Sequence, residues 1–175
     1  MLSNADLSDA NVDTTQVCNL QFRNFGKRLR FHGHCYPLRV HEDHRPVGEV
    51  VSQPGEGQVL VVDAGASLRV GVLGDRLASI AAANGWVGVV IYGAIRDSVA
   101  INEIDIGVKA LGVTALRSRE AQPSLKGDAV SFGGIRFDRD MWVYCDEDSV
   151  LTGPSDLLKP NNPLPNESLS ITEGA

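Results

Sequence analysis

Three residues in this 175-residue sequence have types and spacing that suit chemistry: Asp75, Arg96 and Asp97. Asp75 stands in "GDRLASIAAANG", and Arg96-Asp97 closes "WVGVVIYGAIRD"; residues 76–95 between them carry almost no charge. Arginine suits planar, two-pronged recognition of a carboxylate. The aspartate beside it is a hard oxygen donor, able to hold a divalent cation whose other positions are filled by water, as magnesium prefers. A helix starting near Asp75 adds free backbone N–H groups and a partial positive charge, which again favour an anion. A 2-oxo acid held among these groups could lose a proton, a carboxylate or a carbon fragment, with Arg96 and the cation stabilising the enolate that develops. The same pattern also has a plainer use, since an Asp before an apolar helix serves as an N-cap and an Arg-Asp pair after a strand serves as a surface turn.

Those residues need elements to hold them. "QVLVVDAG", 58–65, reads as a buried strand ending in a glycine turn, and "SLRVGVLG" as either strand or loop. "DRLASIAAANG" predicts a helix capped by Asp75, with Leu77, Ile80, Ala81 and Asn84 on one face and a stop at Asn84-Gly85. "WVGVVIYG", 86–93, hardly alternates, as in a strand covered on both faces. If the two strands are parallel, their carboxyl ends share the edge where ligands collect in layered α/β domains. The amides of Gly74, Asp75, Arg76 and Leu77 would then meet Arg96 and Asp97 in one pocket.

Elsewhere, residues 1–16 are polar with room for a short helix, and residues 28–41 suggest a strand. "SVAINEIDIGVKALG" holds a short helix and a strand, while "VTALRSRE", "AVSFGGIRF", "MWVYCDED" and "SVLTG" suggest four short strands. From 153 the chain is rich in Pro, Asn and Ser, as in an extension that buries little. Strand, turn, helix and strand followed by a mainly β half predict one α/β domain with a layered mixed sheet over 1–152 and a flexible tail over 153–175.

An apolar content of 43% at this length supports one real core. The formal net charge of −6 repels a phosphate backbone, so direct nucleic-acid binding is not expected. The start lacks a basic segment followed by an apolar one, and no apolar run approaches a membrane span, so a cytoplasmic location is expected. Cys18, Cys35 and Cys145 are odd in number and far apart, which suits reduced thiols, and Cys145 sits in an apolar strand context that suits packing. All four histidines fall within 32–44 beside Cys35, which raises zinc, but no second cysteine lies nearby and ordinary strand and turn histidines account for them better. "DAGAS" lacks dinucleotide-loop spacing and reads as a tight turn near the pocket. Arg69 fits either a second anion contact or a subunit-interface residue.

The stretch "VLVVDAGASLRVGVLGDRLASIAAANGWVGVVIYGAIRDSVAINEIDIGVKALG" resembles the RraA-like family, which includes regulators of ribonuclease E and class II 4-hydroxy-4-methyl-2-oxoglutarate aldolases. The resemblance runs from about residue 20 to 152 and takes in "VSFGGIRF" and "WVYCDEDSVLTG". It implies the swivelling β/β/α type of mixed-sheet fold and a homotrimer with its site near a subunit interface. It implies that the backbone of Gly74, Asp75, Arg76 and Leu77 holds a pyruvyl carboxylate, and that Arg96 binds the 2-oxo acid and stabilises its enolate. Asp97 would hold Mg²⁺ or Mn²⁺ largely through water, with Asp75 as a second acid ordering that water. The implied reactions are aldol cleavage to two pyruvates and oxaloacetate decarboxylation. The implied alternative is a non-catalytic regulator that binds ribonuclease E. Many of the resembling aldolases carry an acid three residues beyond the metal aspartate; here that position is Ala100, and the nearest later acids are Glu103 and Asp105. Retention of both Asp75 and the Arg96-Asp97 pair favours the lyase over the regulator.

Overall fold

The computed structural model describes residues 2–159. In chain order the elements are α1 (Asn4–Ala10), β1 (Gln16–Val17), β2 (Arg23–Phe25), β3 (Phe31–Arg39), α2 (Arg45–Val51), β4 (Val59–Asp63), α3 (Asp75–Ala83), β5 (Gly88–Ile95), α4 (Ser98–Ile101), β6 (Gly107–Val113), β7 (Leu125–Lys126), β8 (Val130–Phe132), β9 (Ile135–Phe137), β10 (Trp142–Cys145) and β11 (Val150–Gly153). Nine strands form one mixed sheet in the order β1-β11-β10-β3-β4-β5-β6-β2, with β7 also on β3, and β8-β9 form a separate hairpin. This is the layered α/β architecture expected from the sequence.

The sheet's centre is β3, β4, β5 and β6, each pair parallel. Their carboxyl ends therefore open onto one edge. Val59, Leu60, Val61 and Val62 of β4 are all fully buried because both faces are covered. On one face Leu60, Val62 and Ile91 pack with Val47 and Val51 of α2 and Ala81 of α3. On the other, Val59, Val61 and Val90 pack with Phe132 and Phe137 of the hairpin. Burying a valine of this kind contributes roughly 1.5–3 kcal/mol, so each layer is anchored by several such residues.

The helix after Gly74 forms as expected and stops where expected, with Asn84 as C-cap and Gly85 at φ +81°, a conformation that favours glycine. Its start differs. Gly74 is the N-cap and Asp75 is already helical, so the Asp75 carboxylate accepts from the adjacent Arg76 N–H at 2.7 Å and does not cap from outside. Two further corrections concern connections. Past Val113, which ends β6, "TALRSRE" is an irregular loop carrying one bridge, Gly71 to Arg117, because it packs against the Gly71 loop and not along a strand. Helix α2 was unforeseen: Pro46 sits in its first turn, where a missing N–H costs nothing, and Pro46, Val47, Val50 and Val51 form its buried stripe.

The segment after residue 152 packs from its outset. Gly153 belongs to β11, Leu157 is buried, and the Leu157 N–H donates to the Tyr144 hydroxyl at 2.8 Å. Residues 160–175, where most of the expected tail falls, lie outside the described residues. No helix among the described residues is long and apolar enough to cross a membrane.

Candidate active site

The shared edge of the parallel strands gathers four loops. Chain after β3 brings Asp43 and His44, the loop after β4 brings Gly71–Gly74 and the start of α3, β5 ends at Arg96-Asp97, and chain after β6 brings Arg117 and Ser118. Backbone hydrogen bonds lock the loops together: Val72 N–H donates to Ala94 O at 3.0 Å, Arg96 N–H to Leu73 O at 2.8 Å, and Gly71 N–H to Leu116 O at 2.9 Å. "SLRVGVLG" is thus a loop whose middle docks beside the end of β5.

Glycines make that docking possible. A Cβ on Gly71 would stand 2.4 Å from Arg96 Cγ, and one on Gly74 would stand 2.9 Å from Asp97 Oδ2. The Arg96-Asp97 pair therefore occupies space that side chains at 71 and 74 would fill. Asp97 itself has φ +55°, a left-handed conformation uncommon for a residue with a Cβ. Such conformations cost on the order of 1–3 kcal/mol and concentrate at functional sites.

The cleft has a volume of about 1090 Å³, and Gly74, Asp75, Arg76, Leu77, Arg96 and Asp97 all line it. The structure thus brings every residue of the predicted constellation to one cavity. Five cationic side chains (Arg45, Arg76, Arg96, Arg117, Lys126) and three carboxylates (Glu49, Asp75, Asp97) face it, so it is locally positive on a chain of net charge −6. Lys126 is paired with Glu49 and Arg45 with Asp43. Arg76, Arg96 and Arg117 make no ion pair among the described residues. Arg96 Nε is buried with no hydrogen-bond partner among the described residues. An unsatisfied buried donor is costly, and a guanidinium that lines the cleft without an ion pair is suited to meet an anion there. The Arg76 amide is already taken by the Asp75 side chain, whereas the amides of Asp75 and Leu77 have no acceptor among the described residues.

Of the three carboxylates in the cleft, Glu49 is paired with Lys126, which leaves Asp97 and Asp75 as carboxylate donors for a metal. Asp97 makes no side-chain hydrogen bond or ion pair among the described residues and sits in the space above Gly74. Among the described residues, no group of three or more His, Cys, Asp or Glu side chains could enclose a metal. Two carboxylates with open surroundings fit a hard cation that keeps most of its water, and do not fit an all-protein cage. Ala100 lies exposed on α4, and the later acids are committed elsewhere, Glu103 to Lys27 at 3.8 Å and Asp105 to Arg28 through two 2.8 Å hydrogen bonds.

Other candidates resolve differently. His32 stacks on Tyr144, and His34 tilts against Trp142 with ring centres 4.3 Å apart, so these histidines belong to an aromatic surface. The three cysteines are free and buried, and burial pushes the Cys35 and Cys145 thiols up, away from nucleophilic character. Residues 63–67 do not line the cleft, and Arg69 is paired with Glu42.

One further assembly, without a signal in the sequence, borders this cleft at His44. Asp43, 1% exposed, accepts from Arg45 N–H at 3.1 Å, Arg45 Nη1 at 2.9 Å, the Ser118 hydroxyl at 3.1 Å and Gln122 N–H at 3.0 Å. Burial alone would raise its pKa, but these donors hold it below the ordinary carboxylate value. His44 Nδ1 lies 2.7 Å from Ser118 Oγ. Burial lowers the pKa of His44, and Arg45, Arg117 and Arg96 add to that effect against the pull of Asp43.

A protein of Alkalilimnicola ehrlichii, named provisionally as a 4-hydroxy-4-methyl-2-oxoglutarate aldolase, is 44% identical over 154 residues, 88% of this chain and 96% of its own length. One from Laribacter hongkongensis with the same provisional name is also 44% identical, over 88% of this chain and 97% of its own. Among solved structures, one described as an S-adenosylmethionine:2-dimethylmenaquinone methyltransferase from Geobacillus kaustophilus superposes with a TM-score of 0.87 at 40% identity, over 90% of this chain and 98% of that one. The RNA-processing inhibitor RraA from Thermus thermophilis gives 0.85 at 36% identity, over 89% and 94%. The aldolase/RraA family profile matches residues 4–152, and the chain belongs to the RraA-like family.

Proposed function

We propose that this protein is a lyase acting on small 2-oxo acids, cleaving 4-hydroxy-4-methyl-2-oxoglutarate to two pyruvates and decarboxylating oxaloacetate. The observation that carries this reading is the Arg96 guanidinium, without an ion pair among the described residues, in a positive cleft that also holds Asp75 and Asp97. The provisional aldolase names of the relatives point the same way.

Both reactions break a carbon–carbon bond next to a 2-oxo group and leave the enolate of pyruvate. Arg96 is placed to pair with the substrate carboxylate or the oxygen on which charge develops, where a preorganised guanidinium acts without reorganising solvent. The free amides of Asp75 and Leu77 at the start of α3 offer a second anion contact. Asp97, with Asp75 nearby, would hold Mg²⁺ or Mn²⁺ largely through water. A cation there would supply further positive charge against the developing enolate. The aspartate can serve in this way because Gly74 leaves its carboxylate room.

The test is pyruvate release from 4-hydroxy-4-methyl-2-oxoglutarate and from oxaloacetate, each with and without Mg²⁺ or Mn²⁺. The reading requires turnover above the rate with metal alone. If the wild-type protein adds nothing to that rate, the lyase reading fails. The likeness to RraA then leaves the regulatory role, which a pull-down with a ribonuclease E segment would test.

A further inference from the structure

We propose that His44 is the proton-transfer group of this site, held by Ser118 and Asp43 as the Nδ1–H tautomer so that Nε2 stands as a base in the cleft that Arg96 lines. The proposal rests on the lyase reading above and deepens it.

Hydrogen-bond polarity sets the tautomer of His44. Asp43 is buried and accepts from four donors, so it is ionised and can only accept. The Ser118 hydroxyl has a single proton, and we assign it to the charged acceptor, Asp43 Oδ1 at 3.1 Å. Toward His44, Ser118 Oγ therefore offers only a lone pair. At 2.7 Å, Nδ1 must supply the hydrogen. A neutral imidazole has one N–H, so Nε2 is left bare, and it has no hydrogen-bond partner among the described residues. Burial and the charges of Arg45, Arg117 and Arg96 resist a second proton at rest, while Asp43 stabilises the imidazolium once it forms. The arrangement resembles an acid–base triad with a hydroxyl inserted between carboxylate and imidazole. A neutral Nδ1–H imidazole has no hydrogen at Nε2 to donate to a substrate carboxylate, whereas its lone pair can take a substrate proton.

The step balances without an outside reagent. Nε2 takes the proton of the C4 hydroxyl. The oxygen's electron pair forms the carbonyl of the first pyruvate as the C3–C4 bond breaks, and the pair from that bond becomes the enolate of the second. C3 of the enolate then takes the proton back from Nε2. Oxaloacetate loses carbon dioxide without any hydroxyl proton being removed, so its bond-breaking step needs no base.

That difference sets the test. In wild-type protein with Mg²⁺, both reactions are measured beside His44→Gln and His44→Asn, the second guarding against a variant that does not fold. Cleavage of the hydroxy acid should fall roughly 10²-fold or more, within the usual range for lost acid–base catalysis, while oxaloacetate decarboxylation falls only a few-fold. Independently, ¹⁵N NMR of the metal-free protein at neutral pH should show His44 as the Nδ1–H tautomer, and Ser118→Ala should lose that preference. Retained cleavage, an equal fall in both reactions, or an Nε2–H tautomer in the wild type overturns the assignment of His44. A wild type inactive on both substrates overturns the lyase reading and this proposal with it.

Discussion

The Asp97 carboxylate rests against the bare Cα of Gly74, with Oδ2 2.9 Å from where a Cβ would stand. Gly74 has φ −120° and ψ −179°, extended backbone open to any residue. Its lack of a side chain is therefore a matter of space at this contact and not of backbone conformation.

Gly74→Ala should accordingly move the Asp97 carboxylate while leaving the fold intact. The melting temperature is expected to change by only a few degrees, on the scale of about 1 kcal/mol in a domain of this size. Activity should fall at least tenfold, with a higher Mg²⁺ concentration needed for half-maximal rate. Metal titrations of steady-state turnover would check this, and an unchanged metal dependence would place the metal away from Asp97.

Asp97 should show opposite effects on stability and activity. Its φ of +55° suits glycine better than a residue with a Cβ. Asp97→Gly is expected to raise stability by about 1 kcal/mol, the usual scale of left-handed strain, and to abolish metal-dependent turnover. Thermal melts paired with rate measurements read both signs.

Metal removal should leave the fold standing. The described residues contain no cluster of three or more ligands that could enclose an ion. Melting curves with and without a chelator should coincide even where the chelator stops catalysis. Unfolding on chelation would point to a structural metal instead.

His44 makes stability depend on pH in a definite direction. Its folded pKa lies below the ordinary 6.5, with burial as the largest cause. Below 6.5 the unfolded chain binds the proton first, so the His44 contribution is present above that pH and is lost as pH falls through the lowered folded pKa. Denaturation midpoints measured downward from pH 7 should fall less steeply in His44→Gln than in the wild type. Equal slopes would mean that His44 is not shielded in the folded state.

The constellation was legible because its parts lie on elements with strong local signals. Uninterrupted apolar runs mark β4 and β5 as doubly covered strands, Asn84-Gly85 marks the end of α3, and parallel pairing then forces Asp75 and Arg96-Asp97 to one edge. What was missed depends on contacts across the chain. Nothing near His44 announces Ser118, 74 positions later, as its partner. The clustering of histidines drew attention to metal ligation, whereas His32 and His34 stack on β10 aromatics and His44 turns to the cleft. Helix α2 is short, and its signal is a proline in the first turn, which reads as a break until the valine stripe behind it is matched to the sheet. "VTALRSRE" has strand-like composition, but packing against the Gly71 loop overrides it.

The central claim is that this cleft stabilises the enolate of pyruvate through Arg96. Exchange of pyruvate methyl hydrogens for deuterium, followed by proton NMR in D₂O with Mg²⁺, reads that enolate directly and needs no cleavage substrate. The wild-type protein should exchange the methyl group well above the rate of pyruvate and metal alone, and Arg96→Ala should bring the rate back to that background. Equal exchange by Arg96→Ala and wild type, or none by either, would contradict the account.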